Sequence, residues 1–191
     1  MQSTKILMKS PLNSTDIVFL GDSLIEGFDL NHYFQISNIK NRGLSGDTTY
    51  EVRYRLEEIL NAKPAKLFLM IGINDFFQGE DETIILDNIS VILGEFLQRS
   101  PETEIFVQSL LPVNEEAIFS DEHLNLYIFS INDNLKKLCR KLNIHFIDLY
   151  GDFLNEKGQM DRKFTYDGIH LSVEGYDLWA KLIEPFLTKS V

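Results

Sequence analysis

Five short apolar runs alternate with stretches of helical periodicity along this chain. The runs cover about residues 16–20, 36–39, 67–71, 105–107 and 144–149. Short, near-continuous apolar runs are typical of parallel strands that are buried on both faces. Regular alternation of strand and helix predicts a parallel sheet with helices on both faces. Because right-handed crossovers leave few ways to wind five strands, we expect the flavodoxin-like order 2-1-3-4-5.

The stretches between the runs carry helix signals. Thr48 and Glu51 have the spacing of a capping box, which predicts a helix that continues to about residue 61. Apolar residues recur at helical spacing over residues 82–99 and again over residues 124–142. These helices and the strands together predict a three-layer α/β/α sandwich.

The end of the chain predicts one more helix. Ser172 can cap it, and Pro185 is expected to limit its length. Residues 150–166 before it are polar, contain two glycines and show little periodicity, which favours a loop. At 191 residues the chain has the length of one domain, and we expect a single domain with residues 1–15 as a lead-in segment.

Charge and cysteine content exclude several classes of function. The formal net charge is −11, from 18 Lys and Arg against 29 Asp and Glu, which argues against nucleic-acid partners and anionic membrane surfaces. The single cysteine, Cys139, cannot form an internal disulfide, and its helical context predicts a structural thiol. No run is long enough for a signal-peptide core or a membrane span. We therefore expect a cytoplasmic protein without integral membrane association.

Polar residues follow three of the predicted strands at the edge where open α/β sheets bind ligands. The first run ends in Gly-Asp-Ser with Ser23, the second leads into a Gly-rich loop that contains Gly46, and the third is followed by Asn74. A serine in such a place is either a helix cap or a nucleophile, and the strand alone favours the cap. A nucleophilic serine also needs a base.

One of the four histidines is a candidate base. His32 and His123 lie in polar stretches and His145 lies in the fifth run, so they are interpreted as surface or sheet residues. His170 follows Asp167 by three residues with a glycine between them. That spacing lets a tight loop place the carboxylate on one imidazole nitrogen while the other nitrogen points at a hydroxyl. An Asp-x-x-His pair alone is more often a plain loop motif.

Four blocks together resemble a known family. Gly-Asp-Ser at 21–23, Ser-Gly-Asp-Thr at 45–48, Gly-Ile-Asn-Asp at 72–75 and Asp-Gly-Ile-His at 167–170 are similar to the blocks of the SGNH, or GDSL-type, esterase and lipase superfamily. The blocks occur in the family's order and spacing, and the resemblance spans roughly residues 16–187. The residues at 46–49 and 110–112 most resemble bacterial relatives of the catalytic subunits of platelet-activating-factor acetylhydrolase.

The resemblance implies a role for each site residue. Ser23 would be the nucleophile, His170 the general base and acid, and Asp167 the residue that orients His170. The oxyanion would receive hydrogen bonds from the backbone amides of Gly46 and Ser23 and from the side chain of Asn74. The implied activity is hydrolysis of a small carboxylic ester through an acyl-serine intermediate, without a metal or cofactor. A homodimer is compatible with this interpretation.

Other residues at the strand ends are candidates for substrate binding. Asp22, Phe76, Leu111 and Val113 are predicted to line the substrate site, with Phe77 beside them, although the apolar members could equally pack under loops. No long insertion separates the strands, so we expect a shallow site for short acyl groups such as acetyl.

Two other functions stay open. Asp22, Asp47 and Asp75 follow three strand ends and could bind Mg²⁺ in a phosphoryl-transfer enzyme, although loop capping is the simpler role for each carboxylate. The fold could also serve as a ligand-binding or interaction module with little turnover.

Overall fold

Five parallel strands form the sheet in the computed structural model, which describes residues 10–119 and 123–188. The strands are β1 (Ile17–Gly21), β2 (Ile39–Gly43), β3 (Lys66–Met70), β4 (Glu104–Gln108) and β5 (His145–Ile147). Their order is β2-β1-β3-β4-β5, with every neighbouring pair parallel. The predicted α/β fold and strand order are confirmed.

Eight α-helices connect and cover the strands in the described part of the chain. They are α1 (Ser23–Glu26), α2 (Leu30–Tyr33), α3 (Thr49–Tyr54), α4 (Glu57–Ala62), α5 (Ile73–Phe77), α6 (Glu82–Arg99), α7 (Leu124–Leu142) and α8 (Val173–Thr188). Two 3-10 turns, Tyr150–Phe153 and Arg162–Phe164, lie in the stretch that the sequence predicts to be an irregular loop. Within the described ranges, no helix has both the length and the hydropathy needed to cross a bilayer.

The centre of the sheet is apolar on both faces. Phe19, Phe68 and Phe106 stack across β1, β3 and β4 with ring centroids 4.6 and 4.7 Å apart. Phe28 packs against Phe19 on this side and stacks on Trp179 of α8 at 4.7 Å. All five rings are fully buried, so this layer fixes α8 against the sheet.

Strand β2 lies later in the chain than the sequence predicts. The prediction is residues 36–39, whereas the strand is Ile39–Gly43 and contains three polar residues. Asn41 donates from its side chain to the Phe28 carbonyl at 3.1 Å, and the buried guanidinium of Arg42 lies 2.9 Å from Glu58. Partners from other parts of the chain satisfy these polar groups, so the strand can contain them although it is partly buried. The strand therefore lacks the apolar pattern by which the other strands are predicted.

Two helix predictions need correction. The helix predicted from Thr48 to residue 61 is two helices that break at Arg55, although Glu51 does accept a 2.9 Å hydrogen bond from the Thr48 amide as the capping box requires. Helix α8 does not end at Pro185 but continues to Thr188. The last turn buries Leu187 in the core, and this burial offsets the energetic cost of the backbone hydrogen bond that Pro185 cannot donate.

The predictions for two isolated residues agree with the structure. The Cys139 side chain is buried in the core, and burial raises its pKa to about 12, which is the behaviour of a structural thiol. His145 begins β5 and stacks on Phe106 at 4.9 Å.

Candidate active site

Three of the predicted site residues form a continuous chain of hydrogen bonds. The Ser23 Oγ lies 3.0 Å from His170 Nε2, and His170 Nδ1 lies 2.6 Å from Asp167 Oδ2. Ser23 is partly buried, and the imidazole and the carboxylate are about one-third exposed. A hydroxyl, an imidazole and a carboxylate in this order can activate the serine as a nucleophile.

Ser23 is held by the junction between β1 and α1. It is the first residue of α1, and Asp22 caps that helix by accepting a 3.0 Å hydrogen bond from the Leu24 amide. On the C-terminal side, the hydroxyl of Tyr176 donates to the Leu24 carbonyl at 2.9 Å. These contacts fix the backbone on both sides of the serine hydroxyl.

The Asp167–His170 loop is a tight turn closed by a bridge between Thr165 and Leu171. Asp167 Oδ1 accepts hydrogen bonds from the amides of Ile169 at 2.9 Å and His170 at 2.7 Å, which leaves Oδ2 for the imidazole. The loop therefore fixes the Asp167 carboxylate in hydrogen-bond contact with the His170 ring.

The charge of Asp167 is stabilised by the same contacts. Partial burial acts to raise the pKa of Asp167, but the hydrogen bonds from the His170 ring and from the amides of Ile169 and His170 outweigh it and lower the pKa. Asp167 is therefore a carboxylate at neutral pH and can orient the imidazole and stabilise its protonated form.

Gly46 and Asn74 lie at the same edge of the sheet and are linked through Asp47. The Asn74 side chain donates from Nδ2 to the Asp47 carbonyl at 2.8 Å, so its amide is held by the loop that contains Gly46. Gly46 has a φ of +83° and is exposed, which is the left-handed conformation that favours glycine. Backbone and side-chain amides are the donor types that stabilise an oxyanion, which is the role that the sequence predicts for Gly46, Asn74 and the Ser23 amide.

A family model supports the assignment that the blocks suggest. Residues 19–178 match the GDSL-like Lipase/Acylhydrolase family. The chain belongs to this family. It is accordingly a carboxylic ester hydrolase.

Similar proteins cover nearly the whole chain. Platelet-activating factor acetylhydrolase IB subunit alpha2 of Rattus norvegicus is 27% identical over 191 residues, which covers 96% of this chain and 80% of that protein. A Streptococcus pneumonia structure, provisionally named a platelet activating factor, is 30% identical with a TM-score of 0.86 and covers 97% of this chain and 90% of that one. A GDSL-like lipase from Bacteroides thetaiotaomicron has the same fold, with 23% identity, a TM-score of 0.84 and coverage of 99% and 96%.

The three aspartates of this GDSL-like hydrolase that could bind Mg²⁺ have separate protein partners. Asp47 pairs with Arg55 at 2.5 Å, and Asp75 accepts hydrogen bonds from the Thr49 amide at 3.0 Å and the Thr49 hydroxyl at 2.5 Å. Among the described residues, no group of three or more His, Cys, Asp or Glu side chains is placed to hold a metal ion. The loop-capping role that the sequence left open fits these contacts better than metal binding does.

Asp22 has the most unusual environment of the three. Its side chain is fully buried, and its Oδ2 has no hydrogen-bond partner among the described residues. Burial raises the pKa of Asp22 from 3.8 to about 7, although the Leu24 amide and the charge of His170 act in the opposite direction. The sequence predicts that Asp22 lines the substrate site, whereas its side chain is buried beside Ser23 and caps α1.

The apolar candidates for substrate binding separate into two groups. Phe76 lines a cavity of about 560 Å³ together with Leu124 and Tyr127, whose ring lies 6.3 Å from the Phe76 ring. Leu111 and Val113 are only 3% and 1% exposed and belong to the core, as the alternative of packing under a loop predicts. Among the described residues that line this cavity there is no triad or oxyanion residue, so the substrate-binding role of Phe76 stays a prediction from its place two residues after Asn74.

Sequence reasoning missed two residues that contact the site. The exposed ring of Tyr166 stacks on the His170 ring at 5.9 Å with an interplanar angle of 14°. Arg55 donates to Asp47 and also to the Gly21 carbonyl at 2.9 Å. Tyr166 could have been found as the neighbour of the Asp-x-x-His block. Arg55 lies at the end of a helix, and its sequence context carries no signal for this role.

Proposed function

We propose that this GDSL-like hydrolase cleaves short-chain carboxylic esters, acetyl esters above all, through an acyl-enzyme at Ser23. The observation that carries the proposal is the chain of contacts from Ser23 Oγ through the His170 ring to Asp167, at 3.0 and 2.6 Å. In this arrangement His170 can take the serine proton while Asp167 stabilises the imidazolium that results.

The reaction has two symmetrical halves. The Ser23 oxygen attacks the ester carbonyl as its proton passes to His170 Nε2, and the resulting tetrahedral intermediate carries its charge on the former carbonyl oxygen. The carbon–oxygen bond to the alcohol then breaks as His170 returns the proton to the leaving oxygen. Water repeats the sequence on the acyl-serine, releasing the acid and regenerating the Ser23 hydroxyl.

The negative oxygen in both halves is stabilised by the amides of Gly46 and Ser23 and by the Asn74 side chain. Asn74 Nδ2 carries two hydrogens, and one of them is directed at the Asp47 carbonyl, which leaves the second for the oxyanion. A neutral amide stabilises this charge without competing for the proton that His170 moves.

The preference for acetyl rests on two supports. The mammalian relatives are named as acetylhydrolases. Leu111 and Val113 are only 3% and 1% exposed, and side chains buried this deeply offer little surface to a long acyl chain, which supports a preference for short acyl groups.

A fluorophosphonate probe and p-nitrophenyl esters test the proposal together. We expect stoichiometric labelling of the wild type, no labelling or turnover in Ser23→Ala, and full activity in Ser90→Ala, which removes a hydroxyl from α6. Hydrolysis should decrease from acetyl to butyryl to octanoyl esters. Turnover that persists in Ser23→Ala would contradict the acyl-serine, and if EDTA then abolished it, the metal alternative would replace it. A rate that increases with chain length would contradict the acetyl preference alone.

A further inference from the structure

Arg55 occupies a nearly buried position beneath the candidate oxyanion site. It follows the last residue of α3, and its side chain is 13% exposed. The guanidinium makes two directed contacts: Nε donates to Asp47 Oδ2 at 2.5 Å, and Nη2 donates to the Gly21 carbonyl at 2.9 Å. One planar group thus joins the loop after β2 to the end of β1.

Each of these contacts reaches a segment that carries an oxyanion donor. Asp47 directly follows Gly46, and its carbonyl accepts the hydrogen bond from Asn74 Nδ2 at 2.8 Å. Gly21 lies two residues before Ser23, so its carbonyl is part of the backbone that presents the Ser23 amide. All three donor segments are therefore attached, directly or through Asp47, to one guanidinium.

We propose that Arg55 is a positioning residue that holds the three oxyanion donors of this hydrolase at a fixed mutual spacing. The inference rests on the proposed function, because it assigns a role in the same oxyanion site. Arg55 contacts neither the substrate nor the reacting atoms and acts through Asp47 and Gly21.

The chemistry of the contacts explains why an arginine is present. A guanidinium is a rigid fork that can donate in two directions at once, whereas a lysine ammonium is a point charge on a flexible stem. The Asp47 carboxylate is 1% exposed, so it also needs the positive charge. Burial raises the pKa of Asp47 and Arg55 opposes this rise, in agreement with a carboxylate that depends on its partner.

The position of the donors matters chiefly in the transition state. Oxyanion donors act on a charge that is absent from the bound ester, so a displaced donor lowers kcat and changes KM little. Displacement of reacting groups by about 1 Å can cost roughly 100-fold in rate. Replacing a residue that only stabilises the fold would lower the melting temperature of the protein without this selective effect on kcat.

Steady-state hydrolysis of p-nitrophenyl acetate by Arg55→Lys and Arg55→Ala tests the inference, at a temperature where circular dichroism shows both variants folded. We expect kcat to decrease roughly 10-fold in Arg55→Lys and 30- to 100-fold in Arg55→Ala, with KM within about threefold of wild type. Guanidinium ion at tens of millimolar should restore part of the kcat of Arg55→Ala, because it can refill the site between Asp47 and Gly21.

Arg42 provides a matched control. Its guanidinium is 3% exposed and likewise contacts a carboxylate, Glu58 at 2.9 Å, and a backbone carbonyl, that of Ser10 at 2.6 Å. Neither partner carries an oxyanion donor. Arg42→Ala should lose stability with kcat within about threefold of wild type in the folded state, and guanidinium should not raise its kcat.

The outcomes separate this inference from the proposed function. A kcat within threefold of wild type in folded Arg55→Ala would overturn the positioning role, as would an equal kcat loss in Arg42→Ala or a failure of guanidinium to rescue Arg55→Ala selectively. These results would leave the acyl-serine intact. Turnover that persists in Ser23→Ala would instead remove the proposed function, whatever the Arg55 variants show.

Discussion

Ser23 Oγ and His170 Nε2 lie 3.0 Å apart although the two residues are 147 positions apart in the chain. Ser23 comes from the end of β1, an interior strand, and His170 comes from the loop that precedes α8. Trp179 of α8 stacks on Phe28, and Phe28 packs against Phe19 of β1, so the core holds α8 and the loop before it against the strand that leads to Ser23. The catalytic distance is therefore a consequence of the core.

Asn74 gives the first test of the oxyanion donors. Asn74→Ala should lower kcat for p-nitrophenyl acetate by about 10²–10³, because loss of one such donor typically costs that much, while KM changes little. Asn61→Ala, which removes an exposed amide from α4, is the control and should match wild type. A decrease in kcat of less than fivefold in Asn74→Ala would show that its side chain does not bind the oxyanion.

Asp167 should matter through its charge as well as its shape. Asp167→Asn keeps an oxygen that can accept from the Ile169 and His170 amides, but it loses the charge that stabilises the imidazolium, and we expect a decrease in kcat of roughly 10³–10⁴.

Since the pKa of Asp167 is lowered, the carboxylate stays ionised well into acid. Its contribution to the stability of the folded protein is lost only as the pH falls through that lowered value. An activity loss that tracked protonation of Asp167 near its ordinary pKa would contradict this account.

Asp22 should make the stability depend on pH in the opposite direction. Its pKa is about 7 in the folded state against an ordinary value of 3.8, so the folded protein binds more protons between these values and loses stability as the pH rises from about 4 to 7. The loss is on the order of 4 kcal/mol at most. Above pH 7 it stays constant.

Urea denaturation of Asp22→Asn and wild type between pH 5 and 8 measures this effect. The asparagine can still accept from the Leu24 amide but does not titrate, so the variant's free energy of unfolding should fall less between pH 5 and 7 than that of wild type. If the free energies of unfolding of the two proteins changed equally with pH, Asp22 would not be the titrating group. Any constant difference between the two curves would then report only the buried amide that replaces Oδ2.

The sequence predicts the sheet order and the positions of Ser23, Asn74 and His170 because those features depend on local patterns. Apolar runs encode buried strands, and the four blocks mark the loops at the strand ends. The bounds of β2 were not predictable in this way, since Arg42 is buried by its pairing with Glu58, 16 residues away. The break in the helix at Arg55 was not predictable for the same reason, because its side chain forms hydrogen bonds with distant residues, Asp47 and Gly21.

Gly168 is required between Asp167 and His170 for steric reasons. It has a φ of +102°, and a Cβ there would lie 2.8 Å from Ile118 Cγ2 and 2.9 Å from the Asn114 carbonyl oxygen. Gly168→Ala should therefore lose roughly 2 to 4 kcal/mol of unfolding free energy and most of its activity, because relief of the clash moves the loop that holds His170.

Gly158→Ala separates backbone strain from this clash. Gly158 has a φ of +73°, but a Cβ there would lie within 4 Å of no atom beyond its two chain neighbours in residues 10–119 or 123–188, so we expect a loss of only about 1 kcal/mol with activity unchanged. Chemical denaturation and p-nitrophenyl acetate turnover of both variants decide the point. Equal losses of stability would mean that the positive φ alone explains Gly168, and full activity in a destabilised Gly168→Ala would mean that the loop keeps His170 in place without the glycine. We expect turnover to be lost in Gly168→Ala and kept in Gly158→Ala. This result would show that the packing of Gly168 against residues 114–118 helps to position His170.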